Sequence, residues 1–352
     1  KNWSEDEMNR KGNLKTKLAA VFSAGVLAVT GTASAVSGMT VSAQPSAGTY
    51  GDALKLSLYF LTQTSAAQMQ RADLAWKVHT YDAEASLSSA KGLSSSSMAA
   101  IKAANGGSDT VDVSGGYHDA GDHLKFSNTM GYSCTNLAWS YFENPNSYKE
   151  TGSEDHLLYI LKKMCDYFMK VTYLDEGNVI AFCYMVGDDQ DHNIWTAPEV
   201  QQEQTDILAD ASNPSVDASG HMAAALAATS LAFRDKNADY ADACLKYANA
   251  LEKFTEKYPK ATYEGIGSYI PADNIEEGSM GDLWCAIANN NGKLPDSYQA
   301  QYTPSNGVYN GSIYDYWVYS WDKVWGGYSA LLYSMDPQKY SAHGSELVFD
   351  MD

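Results

Sequence analysis

The chain has 352 residues, 45% of them hydrophobic and 12% aromatic, so it is long and apolar enough to bury a large core. Its formal net charge of −19 argues against a nucleic-acid partner, because phosphate binding needs clustered Lys and Arg. Tyrosine (25) and tryptophan (8) together far outnumber phenylalanine (9), and flat rings with a polar group suit a surface that stacks on sugars. An uncharged or a cationic substrate remains open.

The N-terminal segment has the pattern of a secretory signal. A basic stretch opening at Met8 precedes the apolar run 18–29, and the small residues Ala33, Ser34 and Ala35 follow as a cleavage site. The run is shorter than the ~20 residues that span a bilayer. We predict upstream residues at 1–7, a signal peptide at 8–35 with cleavage as late as 43, and a secreted protein without a membrane span. A buried apolar helix is the alternative.

From residue 50 onward, apolar residues recur at the spacing of amphipathic helices. Ser153 is a candidate N-cap for one helix, whose apolar face consists of Leu157, Leu161, Met164 and Phe168. Residues 247–258 repeat this spacing, in a helix that is predicted to begin near Ala238.

The Ala-rich stretch 221–233 would let neighbouring helices approach closely, and strand-type alternation is scarce. These features predict an all-α fold of helical hairpins. We read residues 86–107 and 292–312 as loops, and we see no linker within 44–352, which we predict to be one domain. The five cysteines are widely spaced without a CxxC pair, so a zinc ribbon is not supported. Several fall on apolar helical faces, where cysteine behaves as a small buried apolar residue, and disulfides stay open.

Chemistry-bearing residues concentrate in SGGYHDAGDHLKF, residues 114–126. Asp119 and Asp122 lie three apart at a predicted loop-to-helix junction, close enough to share one water molecule. One carboxylate could accept a proton from that water as a general base while the other holds it in line. Two alternatives stay open at this point: a polar turn that caps a helix, or a metal site in which His118 and His123 join the aspartates.

This segment strongly resembles the SGGWYDAGDHVKF signature of glycoside hydrolase family 9, the family of inverting β-glucanases that includes cellulases. Three later segments resemble family motifs in the same order: DHNIW at 191–195, SVDASGHMAAALAA from Ser215, and YWVYSWDK at 316–323. The resemblance implies an (α/α)6 barrel whose loops form an open groove for β-1,4-glucan, and no cofactor for the chemistry.

The resemblance also implies roles for single residues. Asp122 matches the general base, and Asp119 matches the carboxylate that positions the water. His192, Trp195 and Trp317 match positions that contact the substrate. The resemblance thus argues against His118 and His123 as metal ligands.

A structural calcium ion is a further implication of the resemblance. In the segment EEGSMGDLW, 276–284, which we read as a loop, Asp282 is retained while Gly281 stands where the family often has a second acid. Together with Asp322, this makes a site for Ca²⁺ possible, since that ion takes oxygen ligands from separated loops.

The general acid is the missing half of the catalytic pair. In the family it is a glutamate near the end of the domain, and the surroundings of Glu346 do not match it. We therefore expect the acid beyond Asp352 and the 352-residue chain alone to be inactive. Competing hypotheses are an inactive glucan-binding protein and a metal-dependent hydrolase. No accessory binding module or dockerin is visible in the sequence.

Overall fold

The structure is a computed structural model that describes residues 47–63, 84–120, 123–196, 205–259, 269, 276–302 and 319–349. The predicted signal peptide lies outside these ranges. Among the helices within them, none is at once long enough and apolar enough to cross a bilayer.

Helices dominate the described residues, as the sequence predicts. They are α1 (Ala47–Gln63), α2 (Ser95–Ala104), α3 (Ser127–Glu143), α4 (Pro145–Thr151), α5 (Glu154–Lys170), α6 (Asp189–His192), α7 (Val216–Phe233), α8 (Ala238–Lys257), α9 (Glu276–Asn289), α10 (Trp325–Met335) and α11 (Ser341–Phe349). The predicted face of α5 is buried, and α8 begins at Ala238 as expected.

Helix α7 is the centre of the packing, in contact with α3, α5, α8 and α9. Every residue of α7 except Leu231 is buried, which is typical of a helix surrounded on all sides. Small residues make the close packing possible: a Cβ atom on Gly220 would lie 2.4 Å from the backbone of Glu277 in α9, and one on Gly131 in α3 would lie 2.8 Å from His221. The predicted close approach of helices at this Ala-rich stretch is confirmed.

Short strands accompany the helices. They are β1 (Glu84–Ser86), β2 (Thr110–Asp112), β3 (Lys125–Phe126), β4 (Thr172–Asp175), β5 (Asn178–Val186) and β6 (Asp206–Asp210). β1 pairs with β2, while β5 pairs antiparallel with β3, β4 and β6 in a second sheet. β5 was not predicted, because its run from Ala181 to Val186 is buried throughout and so does not alternate between apolar and polar residues.

Two segments that we read as loops are partly or wholly helical, so those predictions were wrong. Residues 95–104 of the Ser-rich stretch form α2, whose N-cap Ser94 accepts a hydrogen bond from the N–H of Ser97. Asp210 on β6 holds this start by accepting from the N–H of Ser94 at 2.8 Å. The segment 276–284 is the first part of α9, packed against α7.

All five cysteines are buried and none forms a disulfide. They lie on α3, α5, β5, α8 and α9, on faces that point into the core. The expectation that several cysteines lie buried on apolar helical faces is confirmed, and the question of disulfides, which the sequence left open, is answered by free thiols.

Candidate active site

The second sheet joins the DAGDH loop to the DHNIW segment. β3 follows the loop directly, and its residues Lys125 and Phe126 pair with Val186 and Met185 at the end of β5. The chain then turns at Gly187, whose φ is +86°, into α6. A Cβ on Gly187 would meet the Leu124 side chain at 2.1 Å, so the two segments are in direct contact. The sheet therefore brings the candidate base loop and the candidate sugar-binding segment to one edge.

Asp119 is held from three directions. Its N–H donates to the carbonyl oxygen of Leu124 at 2.8 Å, which closes the loop 119–124 on itself. Its Oδ1 accepts from the Thr129 hydroxyl at 2.7 Å, in the first turn of α3, and its Oδ2 accepts a short hydrogen bond from the Tyr269 hydroxyl. Each carboxylate oxygen has a further lone pair with which it could bind water.

Tyr269 was not identified from the sequence, because it lies 150 residues from its partner and no spacing links them. Its backbone is in the left-handed region, with φ of 56°, and its ring packs edge-on against Phe126 and Trp321. Its carbonyl oxygen accepts from the side-chain amide of Asn128 at 3.5 Å, and that amide also donates to Asp217 at 3.2 Å. Buried groups of α3 and α7 thus fix the tyrosine that orients Asp119.

A cavity of about 180 Å³ adjoins Asp119. Both apolar and polar side chains line it, among them Leu61, Tyr117, His118, Asp119, Thr129 and Ser133. Because Asp119, His118, Thr129 and Ser133 contribute polar groups to its lining, a cavity of this size can hold water molecules next to the carboxylate.

His118 and His123 are both buried, with ring centroids 5.5 Å apart. Within the described ranges, which include Asp119 but not Asp122, no three His, Cys, Asp or Glu side chains are grouped so as to hold a metal ion. The metal-dependent hypothesis includes Asp122 and stays a prediction.

The segment that carries His192 and Trp195 is exposed. The two rings lie edge-to-face at 6.0 Å, and Trp195 is 66% accessible, so its faces are available for stacking. The start of α6 is a capping box in which Asp188 and Asp191 each accept from the other's backbone N–H.

Asp188 is itself held by Lys91, whose ammonium lies 2.9 Å from the carboxylate. Burial disfavours the charged form, but the hydrogen bonds from Lys91 and from the N–H groups of Gln190 and Asp191 outweigh it and lower the pKa of Asp188. The exposed aromatic pair is thus carried on a firmly anchored turn.

Asp122 and Trp317 lie outside the described residues. Their roles as general base and as a substrate contact stay predictions.

The two predicted calcium ligands are held in different surroundings. Asp282 accepts from the Tyr298 hydroxyl at 2.7 Å and from Gln301 at 3.3 Å, and burial raises the pKa of this carboxyl. Asp322 precedes Lys323, whose ammonium lies 3.2 Å from Glu276 at the start of α9. Asp282 is six residues further along α9, about 9 Å along its axis.

The Glu276 carboxylate is fully buried and also accepts from the N–H groups of Val324 at 2.7 Å and Trp325 at 3.1 Å. A lysine ammonium thus already provides the positive charge at this carboxylate. Among the described residues no group of three acidic, His or Cys side chains is gathered at Asp282 and Asp322. Calcium binding there stays a prediction.

Comparison with known proteins bears on the whole domain. The family model for glycosyl hydrolase family 9 matches residues 50–347. Endoglucanase 7 of Oryza sativa subsp. japonica is 30% identical over 289 residues, which cover 80% of this chain and 49% of the relative. Endoglucanase 2 of the same species is 36% identical over 212 residues, 59% of this chain and 29% of the relative. The chain thus spans half or less of the length of these relatives.

Solved structures match the fold. The catalytic domain of Clostridium thermocellum CelT superposes with a TM-score of 0.68 at 29% identity, covering 85% of this chain and 63% of that one. The endoglucanase of the termite Nasutitermes takasagoensis gives a TM-score of 0.64 at 27% identity, covering 85% and 64%. The predicted all-α class, of the (α/α)6 type, is confirmed. With its motifs in order and the family model matched across 50–347, the chain belongs to glycosyl hydrolase family 9.

Proposed function

We propose that the full-length protein hydrolyses β-1,4-glucan, as in cellulose, by a single displacement that inverts the anomeric carbon. The observation that carries the proposal is the fixed carboxylate of Asp119, held by Thr129 and Tyr269 beside a cavity in a family 9 chain. The endoglucanase relatives support the substrate class. No cofactor enters the chemistry.

In this mechanism Asp122 takes a proton from the attacking water while Asp119 holds that water in line with the anomeric carbon. An acid on the opposite side of the sugar protonates the leaving oxygen, at about 6.5–9.5 Å from the base, which leaves room for the water. His192, Trp195 and Trp317 would hold the glucose rings over this pair by contact and stacking. Asp119 is suited to its role because two hydrogen bonds fix the direction of its remaining lone pairs.

One alternative stays open: a glucan-binding protein that keeps the groove without turnover. Such a protein would bind cello-oligosaccharides through Trp195 and release no sugar. The two functions therefore differ in turnover and not in affinity.

The test is the Asp122→Asn variant of the full-length protein, assayed by reducing-sugar release from soluble β-1,4-glucan. We expect a folded protein whose kcat falls at least about 100-fold, since general-base catalysis contributes on this scale. The matched control is Asp112→Asn, which removes an exposed carboxylate from the approach to the same loop. Undiminished turnover in Asp122→Asn would refute the assignment of the base, and a wild type that binds glucan without turnover would establish the alternative.

Export is the second part of the proposal and rests on the N-terminal pattern. We expect the mature protein in the culture medium to begin after Ala35, or after Ala43. N-terminal sequencing of the secreted protein tests this, and an intact N-terminus retained inside the cell would contradict it.

A further inference from the structure

Lys125 is a lysine with no exposed surface, which is rare because an ammonium group loses its hydration on burial. It is the first residue of β3, and its backbone pairs with Val186 of β5. Its Nζ donates to the carbonyl oxygen of Val113 at 2.5 Å and to that of Gly115 at 3.3 Å. The same atom lies 5.1 Å from the centre of the Tyr167 ring, within the range of a cation–π contact.

The two acceptors lie in a sharply turned segment that leads into the Asp119 loop. Gly115 and Gly116 have φ of +84° and +70°, a conformation that favours glycine. A Cβ on Gly116 would lie 2.9 Å from the Tyr167 ring and 3.1 Å from Met130, so the turn is pressed against α3 and α5. Inward-facing carbonyl oxygens need donors when they are buried, and here the donor is the lysine that follows the loop.

Two closures therefore surround Asp119. The inner one is the hydrogen bond from the Asp119 N–H to the Leu124 carbonyl oxygen. The outer one runs from the Lys125 ammonium to Val113 and Gly115. In sequence, Asp122 lies inside both. A hydrogen bond with a charged donor is stronger than one between neutral groups, so the outer closure is the stiffer of the two.

We infer that Lys125 is a positioning residue for the water-activating loop, acting through the backbone of residues 113–115 rather than on the substrate. The inference rests on the proposed function, because it assigns a role within that reaction. Orientation errors of about 1 Å reduce turnover strongly even when they arise away from the reacting atoms. Loosening the outer closure should therefore lower kcat while leaving sugar binding by the His192 and Trp195 segment intact.

Lys170 offers a matched control on the same turn. Its ammonium donates to the Ser114 hydroxyl at 2.8 Å and to Asp112 at 3.1 Å. It holds side chains from the outer face, and its own side chain is 32% accessible. Lys170→Met thus removes one ammonium from this turn without touching the buried carbonyls, whereas Lys125→Met removes the buried one.

The experiment compares both variants in the full-length protein, with kcat and KM on a soluble cello-oligosaccharide and with hydrogen exchange of residues 113–124. For Lys125→Met we expect kcat to fall about 30-fold or more with KM within about twofold, and the amides of 117–124 to exchange faster. For Lys170→Met we expect both readouts to stay close to wild type. If Lys125→Met does not fold, Lys125→Arg keeps the charge but not the short contact, and kcat should still fall several-fold at constant KM.

Equal effects of the two lysine variants, or a KM that rises in proportion to any loss of kcat, would overturn the inference. So would unchanged exchange in the loop of Lys125→Met, or wild-type kcat in Lys125→Arg where the methionine variant does not fold. The exchange measurement needs no turnover. A wild-type protein without activity would therefore refute the proposed function, while the exchange rates would still decide whether Lys125 anchors the loop.

Discussion

The two sides of the candidate site are built in opposite ways. On the carboxylate side, Asp119 is held by Thr129, Tyr269 and its own loop, and the loop is tied down by the buried Lys125. On the sugar side, Trp195 is two-thirds exposed and touches His192 edge-on. The reacting groups need a fixed geometry, whereas stacking on a sugar face needs accessible surface. The difference predicts that mutations on the first side act on kcat and those on the second act on KM.

Among the residues that the structure describes, the largest effect should come from Asp119. Asp119→Asn keeps the shape but not the charge, and we expect kcat to fall about 100-fold with KM nearly constant. Tyr269→Phe, which removes only one hydrogen bond to this carboxylate, should give a smaller loss of about tenfold. Steady-state kinetics on a soluble oligosaccharide measure both. A Tyr269→Phe loss larger than that of Asp119→Asn would show that the tyrosine acts on the substrate directly.

On the carboxylate side, acid should lower the free energy of unfolding through a buried histidine. His221 is buried, its Nε2 lies 2.8 Å from the carbonyl oxygen of Trp321, and burial lowers its pKa to about 4. Because the folded pKa lies below the unfolded value of about 6.5, the unfolded state binds the proton more readily, and stability falls as the pH drops from 6.5 towards 4. We expect a loss of about 2–3 kcal/mol from this residue.

Urea unfolding at pH 7, 5.5 and 4.5 measures this loss, with His221→Gln as the comparison. The glutamine amide can still donate to the carbonyl oxygen of Trp321 but does not titrate. Between pH 7 and pH 4.5, the free energy of unfolding of His221→Gln should fall by about 2–3 kcal/mol less than that of the wild type. The same pH dependence in both proteins would mean that His221 does not contribute.

A smaller effect is expected on the exposed side. Trp195→Ala should raise KM about tenfold at nearly constant kcat, because a ring contact of this kind contributes on the order of 1 kcal/mol. Ile194→Ala is the control, since Ile194 is exposed beside it and has no ring to stack. Neither should lower the melting temperature by more than a degree or two. A loss of kcat with unchanged KM in Trp195→Ala would break the division between the two sides.

Removal of calcium should have the smallest effect. Lys323 already neutralises the buried Glu276, and no metal takes part in the proposed chemistry. We expect excess EDTA to leave turnover unchanged and to lower the melting temperature by no more than about 2 °C. Turnover that EDTA abolishes and a transition metal restores would instead support a metal-dependent hydrolase.

Features that depend on residues close together in the sequence were predicted well. The apolar face of α5, the start of α8 at Ala238 and the Ala-rich core helix α7 all follow from side-chain periodicity, as confirmed. β5 escaped prediction because a strand buried on both faces has no alternation. α2 was not predicted, because its Ser-rich composition is typical of a loop. In the structure Ser94 is the N-cap at which the helix begins.

The carboxylate pair was found from sequence because its members are three residues apart, but its supports were not. Tyr269 reaches Asp119 across 150 residues, and Lys125 bonds back to a turn ten and twelve residues earlier. Such contacts arise only when α3, α7 and the sheet have packed. A motif therefore predicts the reacting groups, while the tertiary structure shows what holds Asp119 in place.

The central claim, an inverting attack by water on a β-1,4-glucosidic bond, is tested most directly by the stereochemistry of the first product. Proton NMR can follow the anomeric signals during hydrolysis of a cello-oligosaccharide by the full-length protein, before the anomers equilibrate. We predict that the α-anomer of the new reducing end appears first and the β-anomer only as the sugar mutarotates. Initial formation of the β-anomer would contradict the account.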